Sequence, residues 1–177
     1  MPSTTTMQVR PATQGDASQI AEIHYATVRE AFKTLAPSTP NAPIPVIPLE
    51  QRQAYWREAI EYAEPLVLVA VEEDRVVGFV GFDRSRDKGT APTMGEIWAM
   101  YVMASHWSTG VGLALWDAAR EGLLDEGCTQ VSVWVPLAND RAMRFFELAG
   151  LKRELASAKT MDVGGVKIEE IRLKRSL

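Results

Sequence analysis

The chain has 177 residues, with 19 Lys and Arg against 23 Asp and Glu and a formal net charge of −4, a balance that argues against general binding to nucleic-acid phosphates. Its one cysteine, Cys128, and two histidines, His24 and His106, exclude an internal disulfide and offer no metal-ligand spacing, so no metal is expected. The apolar fraction of 46% suits one globular domain, and a chain of this size buries roughly 70% of the surface it exposes when unfolded.

Residues 1–6 are polar and expected to be frayed, with neither the basic start nor the apolar core of a secretory leader. No apolar run approaches the roughly 18–20 residues of a membrane span. A soluble, cytoplasmic protein without membrane contact is the expectation. Met7 to Arg10 alternates like a short strand and is stopped by Pro11. Thr13 and Asp16 then have capping-box spacing, and Ile20, Ile23, His24, Val28, Ala31, Phe32 and Leu35 recur with helical period. Five prolines between Ala36 and Pro48 make that stretch a loop, of a length often used in a substrate lid. Leu49 to Glu61 reads as a second helix. Leu66 to Val71 and Val76 to Phe82 form a hairpin about a charged turn. Asp83 to Thr93 is a loop, and Gly95 to Val102 is a strand. The amphipathic stretch Gly112 to Asp125 is a helix, Val131 to Val135 a strand, and Asp140 to Leu148 a short helix ended by Gly150. Arg153 to Met161 and Val166 to Lys174 close the chain as a strand pair turning at Gly164 and Gly165.

This order predicts a single α/β domain over residues 1–177, with helices flanking a mixed, mostly antiparallel sheet of seven strands. The unit from Gly95 to Val135 is strand, helix, strand, and places two parallel neighbours in the sheet through a right-handed crossover. Exposed edge strands allow a homodimer.

The segment Trp107-Ser108-Thr109-Gly110-Val111-Gly112 lies between a strand and a helix. The first N–H groups of a helix lack partners and carry positive potential, and two glycines let the backbone approach a phosphate. Ser108 and Thr109 add hydroxyl donors. The dinucleotide pattern fails because Leu115 stands where its third glycine belongs, and the lysine of a P-loop is absent. By spacing alone the segment is an anion site at a helix terminus, or a tight turn that needs glycine.

Together with its neighbours, this segment resembles the GCN5-related N-acetyltransferase (GNAT) family. The likeness runs from Val9-Arg10-Pro11-Ala12-Thr13 through Val76-Val77-Gly78-Phe79, Glu96-Ile97-Trp98 and Tyr101-Val102 to Gly110-Val111-Gly112. It continues in Asn139, Ala142, Phe145-Phe146-Glu147 and Gly150-Leu151. The resemblance implies a splay between the fourth and fifth strands, in which acetyl-CoA lies with its pyrophosphate on Trp107, Ser108, Thr109, Gly110, Val111 and Gly112. Its pantetheine arm would run along Met100, Tyr101 and Val102, with Asn139 and Phe146 beside it. It implies an acetyltransferase that moves the acetyl group to a primary amine of a small molecule or protein by direct attack. Glu96, 14 residues before Gly110, matches the family's base, and strand alternation places it with Trp98, Met100 and Val102. His24, Tyr25 and Phe32 are candidate substrate contacts.

Three positions depart from the family pattern. Trp107 and Thr109 stand where Arg or Gln and a basic residue are usual, leaving Arg141, Arg144 or Lys152 to supply charge. Phe146 replaces a tyrosine that protonates the leaving thiolate, so Tyr101 or water takes that role, or the thiolate leaves unaided. These departures keep an alternative, a non-catalytic acyl-CoA-binding or sensing module on the same fold.

Overall fold

A computed structural model describes residues 6–35, 47–163 and 166–177. Most of the proline-rich loop and the Gly164-Gly165 turn lie outside the described residues, as do residues 1–5 of the segment expected to fray and the side chain of Phe32.

The elements are β1 (Met7–Pro11), α1 (Ala17–Leu35), α2 (Leu49–Tyr62), β2 (Leu66–Glu72), β3 (Arg75–Arg84), β4 (Met94–Val102), α3 (Val111–Asp125), β5 (Gln130–Pro136), α4 (Asp140–Leu148), β6 (Lys152–Val163) and β7 (Val166–Ser176). The strands form one sheet in the order β1-β2-β3-β4-β5-β7-β6. Every neighbouring pair is antiparallel except β4 and β5, which are parallel. This is the seven-stranded mixed sheet expected from the element order.

Local chemistry explains the connections. Asp16 accepts the Thr13 N–H at 2.7 Å and pairs with Arg10 at 2.8 Å, which ties β1 to the start of α1. Glu73 and Asp74 both adopt positive φ between β2 and β3, the backbone that a two-residue hairpin turn requires.

The core has two layers. Val80, Phe82 and Ile97 pack with α3 and α4 through Leu115, Trp116, Met143 and Phe146. Phe79 packs with α1 and α2 through Ile20, Ile23 and Trp56, and Ala99 and Tyr101 lie against the same layer. Ala99 pairs with Gly81, but Ile97 pairs with Phe82, so Trp98 is an extra residue in β4. Such a bulge reverses the alternation of side chains. As a result Met100 and Val102 lie on the α3 face, while Glu96 lies with Tyr101 on the α1–α2 face. The simple alternation read from the sequence, with Glu96 beside Met100 and Val102, is corrected by this one inserted residue.

Candidate functional site

β4 and β5 pair only from Met94 to Ile97, against Gln130 to Val133. Beyond Ile97 the strands separate, and β4 continues without a β5 partner as far as Val102. On the other side of β4, the Met103 N–H reaches the Val77 carbonyl at 2.9 Å. Backbone groups of alternate residues point in opposite directions, so those of Met100 and Val102 face the gap. Those of Tyr101 face β3, where the residue pairs with Phe79. Tyr101 therefore does not share the free backbone edge expected of it.

At the far end of this edge the chain turns through Ala104–His106 into the loop at 107–112. Ser108 and Gly110 have φ of 60° and 93°, and α3 starts at Val111. The first N–H of α3 to be bonded is that of Ala114, donated to the Gly110 carbonyl at 3.1 Å. The N–H groups of residues 108–113 have no acceptor among the described residues. They form the positive helix terminus anticipated from the two glycines.

The two glycines serve different purposes. A Cβ on Gly110 would meet nothing, so its glycine answers to the positive φ. A Cβ on Gly112 would come within 3.2 Å of Phe145 Cε2. Gly112 thus lets α3 approach α4. The hydroxyl of Thr109 donates to the His106 carbonyl and is no longer available to a ligand, whereas Ser108 is exposed.

Trp107 turns back onto β4. Its indole N–H donates to the Val102 carbonyl at 2.8 Å, and the Arg141 guanidinium of α4 stacks on its ring. Its other surroundings include a cavity of about 650 Å³ lined by Ile23, Thr27, Val76 and Met103. Of the three basic residues named from the sequence, Arg141 makes this contact with the loop. Asn139 caps α4, its side-chain oxygen accepting the Ala142 N–H at 3.2 Å. Phe146 is buried in the α3–α4 layer, edge-on to Phe145.

Glu96 is 1% exposed. One carboxylate oxygen accepts the Arg86 N–H at 2.9 Å, and the other pairs with the Arg86 guanidinium at 2.6 Å. Arg86 also lies over Trp98, 4.2 Å from the ring centre. The next residue, Asp87, accepts the Trp134 indole N–H of β5 at 3.1 Å and pairs with Arg172 of β7 at 2.8 Å. The loop after β3 is thereby fastened to β4, β5 and β7 on the α1–α2 face. Sequence reading missed this partnership, because which strand a polar loop meets has no local signature.

His24 lies on the same face. Its ring stacks on Tyr101 with centres 4.6 Å apart, and its Nδ1 accepts the Trp56 indole N–H at 3.2 Å. An Arg52 nitrogen lies 2.9 Å from both ring nitrogens. Burial, with the Arg52 charge second, holds the imidazole down to about 3, so it is neutral near pH 7. Tyr25 is half-buried on α1 beside it. Burial pushes the Tyr101 phenol up, and Arg52 partly opposes this. Among the described residues no group of His, Cys, Asp and Glu is placed to hold a metal, and no helix is long and apolar enough to cross a membrane.

The chain is similar to known proteins over this whole arrangement. It is 34% identical to mycothiol acetyltransferase of Kocuria rhizophila over 101 residues, 55% of this chain but only 33% of that protein. The chain thus spans about a third of that relative's length. It is 24% identical to the uncharacterized N-acetyltransferase YuaI of Bacillus subtilis, over 93% of this chain and 90% of that one. Among solved structures, yncA of Salmonella typhimurium with its cofactor acetyl-CoA superposes with a TM-score of 0.73 at 21% identity, covering 97% of this chain and 94% of that one. A ribosomal-protein-alanine N-acetyltransferase of Brucella melitensis gives 0.74 at 18% identity, covering 96% and 99%. Residues 21–151, from the first helix through the splayed strands to the end of α4, match the model of the acetyltransferase (GNAT) family, and to that family the chain belongs.

Proposed function

We propose that the protein transfers the acetyl group of acetyl-CoA to a primary amine by direct attack. The observation that carries this reading is that the β4 edge at Met100 and Val102, which has no strand partner in β5, leads into a helix terminus where the N–H groups of residues 108–113 have no acceptor among the described residues. An amide-bearing arm adds to such an edge as a further strand would, and a pyrophosphate suits the helix terminus that follows.

Acetyl-CoA supplies the activated acyl group, and the residues of the chain do the rest. Backbone N–H groups at the gap stabilise the charge that develops on the thioester oxygen. Glu96 lies on the α1–α2 face, across the sheet from α3, and takes the ammonium proton through a water. Arg86 positions its carboxylate. With Phe146 in the core, Tyr101 is the phenol on the acceptor side and burial keeps it protonated. A thiol of ordinary pKa, about 8.5, also leaves as the anion without an acid. The relatives' names differ, one referring to mycothiol and another to a ribosomal-protein alanine, so likeness alone does not choose the amine.

Free-thiol release from acetyl-CoA across a panel of primary amines tests the proposal. Amine-dependent release above the hydrolytic background supports it. Release that no amine accelerates contradicts it.

A further inference from the structure

Arg52 is 6% exposed, yet among the described residues its one hydrogen-bonding contact is the ring of His24. Its buried Nε has no partner among the described residues. No carboxylate among the described residues pairs with it. The undescribed residues 1–5, 36–46 and 164–165 contain no Asp or Glu, so they hold no counterion either. A buried guanidinium without an anion is costly, because its desolvation is not offset by pairing. The imidazole beside it is neutral and offsets no charge.

The position of this charge gives it meaning. Arg52 belongs to the inward stripe of α2 with Trp56 and Ala59, and the Trp56 ring lies over Gly81 of β3, which pairs with Ala99. Tyr101, two residues further along β4, stacks on the same His24 that Arg52 touches. The guanidinium therefore sits on the face of the sheet that carries Glu96. Measured along β3 between their partners Phe79 and Asp83, Tyr101 and Glu96 are about 13 Å apart at about 3.3 Å per residue. An amine attacking near the bulge at Trp98 lies between them.

We infer that Arg52 binds the carboxylate of the acceptor, which makes the substrate a small amine of the amino-acid or short-peptide class. This rests on the acetyltransferase reading above and names its acceptor. A guanidinium offers a planar fork of donors that matches a carboxylate bidentately. A ligand carboxylate here supplies the anion that the chain itself withholds.

The test compares amino acids with their own carboxamides, which keep the amine and remove the negative charge. In the wild-type protein at least one acid should be acetylated with kcat/KM about 100-fold above its amide, the scale on which losing one partner of a buried charge pair is felt. Arg52→Met should reduce that ratio to near unity through the KM of the acceptor, leaving the KM of acetyl-CoA unchanged. Arg52→Lys should restore part of it. Amides that match or exceed their acids throughout the panel overturn the inference, as does discrimination that survives in Arg52→Met. If Arg52→Met does not fold, the wild-type comparison alone decides. If no amine is acetylated, the transferase reading fails by itself. Calorimetric binding of the acids against the amides then decides Arg52, and equal binding overturns it.

Discussion

The indole N–H of Trp107 donates to the Val102 carbonyl at 2.8 Å, so a residue of the proposed phosphate loop occupies a backbone acceptor on the free edge of β4. A cofactor arm lying along that edge competes with Trp107 for Val102. Trp107→Arg removes the competing indole and adds a cation beside the helix terminus. It should tighten acetyl-CoA binding by about three- to tenfold, with a steeper salt dependence, as charge-assisted contacts to phosphate imply. Calorimetry at low and high ionic strength measures both. Weaker binding would mean that the Trp107–Val102 bond belongs to the bound state.

Gly110 and Gly112 should fail on substitution for different reasons. Gly110→Ala has room for its Cβ but must hold a φ of 93°, at a cost of about 1–2 kcal/mol. Gly112→Ala forces a Cβ to 3.2 Å from Phe145, and overpacking of this kind costs about 1–3 kcal/mol. Phe145→Leu should recover stability in the Gly112→Ala background and not in the Gly110→Ala background. Denaturant midpoints for the four variants check this, and equal recovery in both refutes the distinction.

Glu96→Gln keeps the shape of the side chain and removes its basicity. Turnover at neutral pH should fall by about 100-fold, the lower end of general-base contributions, while the KM of acetyl-CoA stays within about twofold. Steady-state kinetics with a competent amine measures both. Unchanged turnover would reduce Glu96 to the structural partner of Arg86.

His24 predicts a pH dependence of stability. Its folded pKa of about 3 lies below the ordinary 6.5, so the unfolded chain takes up the proton first. Stability should therefore decline as pH falls from about 6.5 toward 3 and be independent of His24 above 7. The slope is at most about 1.4 kcal/mol per pH unit. The ring is enclosed by Arg52, Trp56, Phe79 and Tyr101, none of which is a carboxylate that would hold the added charge. Between pH 7 and 5 the wild type should lose more stability than His24→Asn. A proton NMR titration placing His24 near 6.5 would contradict this.

The sequence made some of this arrangement legible and concealed the rest. Apolar runs and periodic stretches marked most of the described strands and α-helices, because burial on one or both faces leaves a pattern in composition. The βαβ unit implied the parallel neighbours, and the glycines marked the helix terminus. The bulge at Trp98 left no such trace. One added residue changes no composition, yet it moves Met100 and Val102 to the opposite face from Glu96. The Glu96–Arg86 pair was hidden because it depends on the path of a loop. Arg52 did leave a signal, since it stands four residues before Trp56 and seven before Ala59 on the buried stripe of α2. A charge in such a stripe asks for a partner, and none is spaced to meet it.

Hydrogen exchange with and without acetyl-CoA tests the central claim most directly, because the proposed binding surface is made of backbone N–H groups. Bound acetyl-CoA should slow exchange at Met100 and Val102 in the β4–β5 gap and across residues 108–113, leaving the β6–β7 edge unchanged. Protection confined to other parts of the chain, or absent at saturating acetyl-CoA, would contradict the account.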